Sequence, residues 1–267
     1  MLRNITLGQY YPAGSPVHGL DARVKLLFVT VYVAVLFTLN GFWGYAAAAA
    51  CLSLAVYASK VPPGFMFRGM KGILILIIFT TMLQIFFNQG ETILFSFWRI
   101  KISLESLLLA LRMTARLTLL ICGTSLLTLT TSPIELTDAI EYILKPFKKI
   151  GLPSHEIAMM MTIALRFIPT LLEETDKIIK AQTARGADFD TGGIIKKAKG
   201  LLPILIPLFI SAFRRADELA VAMEARCYRG DVNRVKMKVM KLTRRDARAV
   251  IIVGIATGTV IAVNMIA

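Results

Sequence analysis

Apolar residues in this chain gather into long runs, and the polar positions sit mostly between them. Leu26–Leu39 and Phe42–Ala58 are two such runs, divided by Asn40-Gly41, a turn signal. Each is shorter than the roughly 20 residues of a usual bilayer span. They predict a tight helical hairpin with its ends partly buried in protein. Gly72–Phe87 predicts a third span, Leu104–Thr130 a fourth and longest, and Ala249–Ile266 a fifth. The spacing predicts an all-α polytopic membrane protein with about five transmembrane helices.

A different texture fills 131–248, between the fourth and fifth runs. Ser132-Pro133-Ile134-Glu135 carries the residues of a helix start: Ser as N-cap, Pro at the first helical position, Glu at N3. A helix over about 132–150 follows, ended by Gly151-Leu152-Pro153. Ser154 is expected to cap a second helix, 154–186, and a third covers about 196–228. The second and third open on apolar stretches, Ile157–Leu172 and Leu201–Phe213. Both then finish amphipathic, as EETDKIIKAQTAR and RRADELAVAMEAR. Pro169, Pro203 and Pro207 would kink them. A helix that begins apolar and ends charged fits one leaving the bilayer interface for water; the alternative is that 157–172 or 201–213 enters the bilayer, and if 201–213 crosses, the topology of everything after it inverts. Three organisational segments result: a transmembrane region over 1–130, a region of three long cytoplasmic or interfacial helices over 131–248, and a closing transmembrane helix over 249–267.

Composition sharpens this picture. The 267 residues are 56% hydrophobic and carry a net charge of +14, with a mean hydropathy of +0.65. That combination suits a membrane protein with a basic cytoplasmic side better than a soluble domain. No basic stripe interleaved with aromatics points to nucleic acid. Cys51, Cys122 and Cys227 have no CxxC or Cys/His spacing, so neither a zinc site nor a disulfide framework is expected. His18 and His155 have no partners at ligand spacing. The first ten residues lack an apolar core, so no cleavable signal peptide is expected.

Basic residues set the orientation. Arg23 and Lys25 flank the first run, and Lys60, Arg68 and Lys71 lie between the second and third. The turn at 40–41 has none, and 88–103 has only Arg99 and Lys101. The positive-inside rule then places the N-terminus, and the 131–248 region, in the cytoplasm.

One short pattern occurs twice. Ala181–Gly186 reads AQTARG and Ala222–Cys227 reads AMEARC, each closing a long amphipathic helix. An Asp precedes each Arg by nine residues, Asp176 before Arg185 and Asp217 before Arg226. A cation near a helix C-terminus complements the macrodipole by a few tenths of a kcal/mol. That accounts for a basic residue anywhere in the last turn, but not for the repeated Ala before it or the small residue after it. A second reading is a plug: small neighbours allow close approach, and the guanidinium fork grips a carboxylate bidentately. Two tips suit two similar sockets.

The chain resembles the transmembrane T component of energy-coupling factor transporters. Ala184-Arg185-Gly186 and Ala225-Arg226-Cys227 are similar to the family's paired Ala-Arg-Gly motifs, with Cys227 replacing the commoner Gly. LDARVKLL at 20–27, LTTSPIELTDAIEYILKPFKKIGLP at 129–153, ALRFIPTLLEETDKIIKAQTARG at 164–186 and RRADELAVAMEARCYRG at 214–230 extend the resemblance through most of the chain. It implies a subunit of the bacterial or archaeal cytoplasmic membrane that binds two ABC-type ATPases through its two Arg-bearing helix tips. It also implies a membrane-embedded S component that captures a vitamin or metal ion. ATP and Mg would be bound by the partner ATPases, with no cofactor on this chain.

The residues themselves offer no Walker A motif, Ser/His/Asp arrangement or paired-carboxylate site. They describe a mechanical coupler rather than a catalyst. Asp188 and Asp190 read as turn-solubilising residues. Arg112 and Arg116, one turn apart in the fourth run, read either as contacts to an S component or as structural, paired or snorkelling arginines. Met159, Met160 and Met161 offer a soft surface that suits variable partners, or equally a core or lipid-facing one. Arg214-Arg215 and the basic run from Arg234 to Arg248 suit anionic headgroups. Two competing readings are an intramembrane enzyme, which would need acid, base or metal residues in the spans, and a conventional ABC permease with one coupling helix per chain.

Overall fold

The computed structural model describes residues 10–87, 92–97, 100–187, 193–230, 240 and 242–266. Among these residues are eight α-helices: α1 Ala22–Thr38, α2 Phe42–Ser59, α3 Pro63–Phe87, α4 Leu104–Thr130, α5 Pro133–Leu144, α6 Ser154–Ala184, α7 Ile194–Ala225 and α8 Arg244–Ile266. A 3-10 helix, Lys145–Ile150, follows α5. Two short strands, β1 Ile93–Phe97 and β2 Ile100–Ser103, pair antiparallel between α3 and α4. The expected plain loop at 88–103 therefore contains a hairpin. Its alternation over only four or five residues is too brief to stand out beside the long apolar runs.

Among the described residues five helices are long and apolar enough to cross a membrane: Phe42–Ser59, Met70–Phe87, Leu104–Thr130, Ser154–Ala184 and Arg244–Met265. The number agrees with expectation, but the membership differs. At 17 residues, α1 is about 25 Å long, short of a hydrocarbon core of about 30 Å. Conversely α6, expected at the interface, qualifies because its first half carries Arg166 as its sole charge between Ile157 and Leu172. Pro169 lies inside α6, and Pro203 and Pro207 inside α7, yet both helices are continuous through them.

The described residues divide into two compact units. One takes those within Gly8–Ala139 and Val239–Ala267, the other those within Ile140–Lys238. In the first, α4 packs on α1, α2 and α3, while α8 packs on α1 and α2. Two small clusters make its core: Leu36, Leu39, Tyr45, Ala48, Leu119 and Val260, and Val61, Met66 and Leu129. Large apolar side chains such as Ile75 (76% exposed) and Phe87 (80%) point outward, as a bilayer-facing surface requires. Gly123 makes room for the Tyr32 ring of α1, since a Cβ there would come to 2.5 Å from it.

Polar anchors sit at both ends of this unit. At the start of α1 the Asp21 carboxylate accepts the Arg23 amide, and the buried Lys25 ammonium donates to the carbonyls of His18 and Thr130 at 3.1 and 2.8 Å. Asp246 accepts the amides of Asp21 and Thr243, tying α8 to the same place. At the other end is the α1–α2 turn. Arg116 Nη2 donates to the Leu39 carbonyl (3.0 Å) and to Tyr45 Oη (2.7 Å). Asn264 Oδ1 accepts the amides of Asn40 and Gly41, both at 3.1 Å. Arg116 lies twelve residues into α4 from Leu104, so the turn sits about 18 Å short of that helix's start. Irregular backbone at such a depth needs internal partners, and these side chains supply them.

Candidate functional site

The second unit is built on α6 and α7. Both are amphipathic in their later halves, and they pack against one another. Three side-chain bonds fix the pairing. Gln182 Nε2 donates to the Pro203 carbonyl at 3.3 Å. The Glu174 carboxylate accepts Ser211 Oγ at 2.6 Å and Arg215 Nη2 at 2.8 Å. Position 182 on α6 thus meets 203 on α7, and 174 meets 211 and 215, so the helices run antiparallel. Thr170, Glu173, Lys177, Ile178 and Ala181 complete an open cleft around the Glu174–Arg215 pair. The repeated Asp176 and Asp217 do not form this link.

Each helix ends on its repeated arginine. Arg185 is the C-cap of α6 and Arg226 the C-cap of α7. The residue after each takes positive φ, +88° at Gly186 and +55° at Cys227. At the first tip the Gly186 amide donates to the Thr183 carbonyl and the Ala187 amide to Gln182. At the second, Cys227 donates to Glu224 and Tyr228 to Met223. Both are Schellman caps with the same two bonds, 5→2 and 6→1. The small residue of the repeat therefore has a backbone cause: it occupies the left-handed position that closes the helix, where Gly is unstrained and other residues are penalised.

The caps leave the same six residues on the surface. Ala184, Arg185, Gly186, Ala225, Arg226 and Cys227 are all exposed. Arg185 stands eleven residues past Glu174, and Arg226 eleven past Arg215. Since the helices are antiparallel, the two guanidinium tips lie at opposite ends of the pair, each about 16 Å from the central Glu174–Arg215 contact. One rigid surface could not hold both tips side by side.

The remaining candidates fall elsewhere. Arg112 is exposed on α4. Arg116 is engaged within the first unit by Tyr45 and Leu39, with the Phe37 ring centroid 5.6 Å from its guanidinium. Met160 and Met161 are exposed on α6, at 57% and 36%, while Met159 is half-buried. His18 bonds Ser15 and the Tyr11 carbonyl, and His155 bonds Glu141. Asp188, Asp190 and, within the basic run from Arg234 to Arg248, residues 234–239 and 241 lie outside the described residues. Ser132 caps α5 through the Glu135 amide. Ser154 opens α6 rather than capping it, because Pro153 holds the N-cap position. Among the described residues no group of three or more His, Cys, Asp or Glu could hold a metal ion.

Sequence reasoning missed Asn264 and the meeting of Glu174 with Ser211; it read Lys25 only as a flanking cation and Arg215 as a headgroup contact, whereas Lys25 donates to two carbonyls and Arg215 to Glu174. Each is a single polar residue in an apolar or charged run, and periodicity alone does not say which partner it meets.

Residues 13–238 match the CbiQ family, described as "Cobalt transport protein". The chain is 56% identical over 247 residues to the "Energy-coupling factor transporter transmembrane protein EcfT" of Clostridium kluyveri, covering 92% of both chains. It is 52% identical over 246 residues to the protein of the same name from Ruminiclostridium cellulolyticum, again covering 92% of each. The Thermosediminibacter oceani protein of that name is 50% identical over 260 residues, covering 97% of this chain and 98% of its own.

Proposed function

The chain belongs to the CbiQ family, among relatives that are energy-coupling factor transporter transmembrane proteins, and from that premise we propose that it couples two ABC-type ATPases to a substrate-capturing S component. The observation that carries this reading is the pair of identically capped arginine tips at opposite ends of one antiparallel helix pair. Two tips facing apart call for two separate sockets, and two ATPase subunits supply them. ATP and Mg belong to those ATPases, and the chain contributes motion rather than catalysis.

In this reading α6 and α7 act as rods. Closure of the ATPases moves Arg185 and Arg226, and the Glu174–Arg215 clip makes the two helices respond as one. The exposed Met160 and Met161 with Met159, and the exposed Arg112, are the side chains offered to the S component, whose cargo is a vitamin or a metal ion. Residues 131–248 form the coupling region, and the N-terminus lies in the cytoplasm of a bacterial or archaeal cell. The test is co-purification: ATPase subunits should be retained by the tagged chain and lost from the Arg185→Ala/Arg226→Ala double variant. Full retention together with full uptake would refute the proposal.

A further inference from the structure

We propose that the 3-10 helix Lys145–Ile150 is a membrane-surface anchor that binds anionic phospholipid headgroups. Its register sorts its side chains. A 3-10 helix has three residues per turn, so positions i and i+3 fall on one edge. Phe147 and Ile150 share an edge, Lys145 and Lys148 a second, and Lys149 lies on the third behind Pro146. The apolar edge is flanked by lysines on both sides.

All six residues are exposed. Ile150 is 82% and Phe147 49% exposed, and the apolar surface continues through Ile143 and Leu152. Between 145 and 153 there are three lysines and no acidic residue. Gly151, at φ +88°, ends the segment sharply and turns the chain into α6.

The place in the chain selects the occupant. The segment follows α4, which is long and apolar enough to cross a membrane, and is separated from it by one helix of 12 residues. An aromatic and a branched aliphatic side chain can enter the headgroup boundary while lysines on either side reach lipid phosphates. A positively charged juxtamembrane segment is drawn to anionic lipid and not to neutral lipid. The same positive charge excludes a basic protein surface.

The experiment uses the full chain in nanodiscs. Phe147→Trp is introduced into a Trp43→Phe/Trp98→Phe background, giving one indole. Discs contain brominated phosphatidylcholine with or without about a quarter phosphatidylglycerol, a composition that creates the anionic surface on which the proposal depends. The proposal expects bromine quenching at least about twofold stronger with phosphatidylglycerol, and reduction to the neutral-lipid level by Lys145→Gln/Lys148→Gln/Lys149→Gln. Ile150→Trp in the same background, on the same edge, repeats the reading should Phe147→Trp fail to fold. An indole quenched by aqueous acrylamide and not by bromolipid overturns the proposal. So does equal bromine quenching in both lipids, or an indole shielded only when ATPase subunits are bound, which would assign the surface to a protein.

Discussion

Glu174 accepts a hydrogen bond from Arg215 at 2.8 Å, and this contact lies eleven residues from Arg185 along α6 and eleven from Arg226 along α7. The antiparallel pair is therefore balanced about a polar clip, with one capped arginine at each end. In the proposed account, displacing either tip would turn its helix about this clip. The clip is half-exposed, so its worth lies in registry more than in stability.

Removing an arginine tip should weaken ATPase binding. Arg185→Ala and Arg226→Ala are each expected to cost roughly 2–5 kcal/mol of docking free energy, the range for one partner of a desolvated charged pair. Lys at either position should restore little, because an ammonium lacks the planar fork. Titration of purified ATPase against the reconstituted chain checks both statements.

The caps predict an asymmetry between glycine and other small residues. Cys227→Gly should stabilise the end of α7 by about 1 kcal/mol, since it removes an L-residue from the left-handed region. Gly186→Val should weaken the end of α6 by a similar or larger amount. No atom lies within 4 Å of a Cβ built at Gly186, so that loss would come from backbone strain and not from a clash. Thermal unfolding monitored by size-exclusion chromatography reads both. Leu at Ala184 or Ala225 should leave these midpoints unchanged while impairing ATPase docking, which separates helix closure from close approach.

Breaking the clip should separate docking from coupling. Glu174→Ala deletes the bonds to both Ser211 and Arg215 but leaves both tips intact. The expected outcome is ATPase co-purification near the parent level with substrate uptake per ATP hydrolysed reduced severalfold. A proportional loss of both would show that the pair is only a structural brace.

The α1–α2 turn predicts where the first unit is fragile. Asn264→Leu strips two amides of their acceptor, and Arg116→Met removes the second donor from the Leu39 carbonyl. Asn264→Leu should destabilise by about 1–3 kcal/mol, the cost of unpaired backbone amides out of reach of water; Arg116→Met should cost less, because Tyr45 Oη still donates to that carbonyl. Gly123→Ala should cost a similar amount by forcing a Cβ against Tyr32, in the ~1–3 kcal/mol range of an overpacked core. Denaturation of the purified chain in detergent measures all three.

Much of this architecture can be read from residue order. Long apolar runs mark α2, α3, α4 and α8 because a bilayer imposes length and apolarity directly. The repeated Ala-Arg string marks both tips, since helix closure and an exposed cation are local properties. What escapes is whatever depends on which residues meet. Glu174 and Arg215 are 41 positions apart, and nothing in either run distinguishes them from Glu173 and Arg214. Lys25 and Asn264 likewise look like ordinary polar residues at the edges of spans. The role of Arg116 was open between partner contact and structural pairing, and its bonds to Tyr45 and Leu39 give it a place inside the first unit. The β-hairpin escapes for a different reason: pairing between strands of four and five residues stabilises a pattern too short to read.

The most direct test of the central claim is site-specific photo-cross-linking in the assembled transporter, with a benzophenone side chain placed at Ala184 or at Ala225. Two sockets on two motors require that each position cross-link to an ATPase subunit, and that a chain labelled at both capture two. Adducts to lipid alone, or a doubly labelled chain that captures a single ATPase subunit through both tips, would contradict the account.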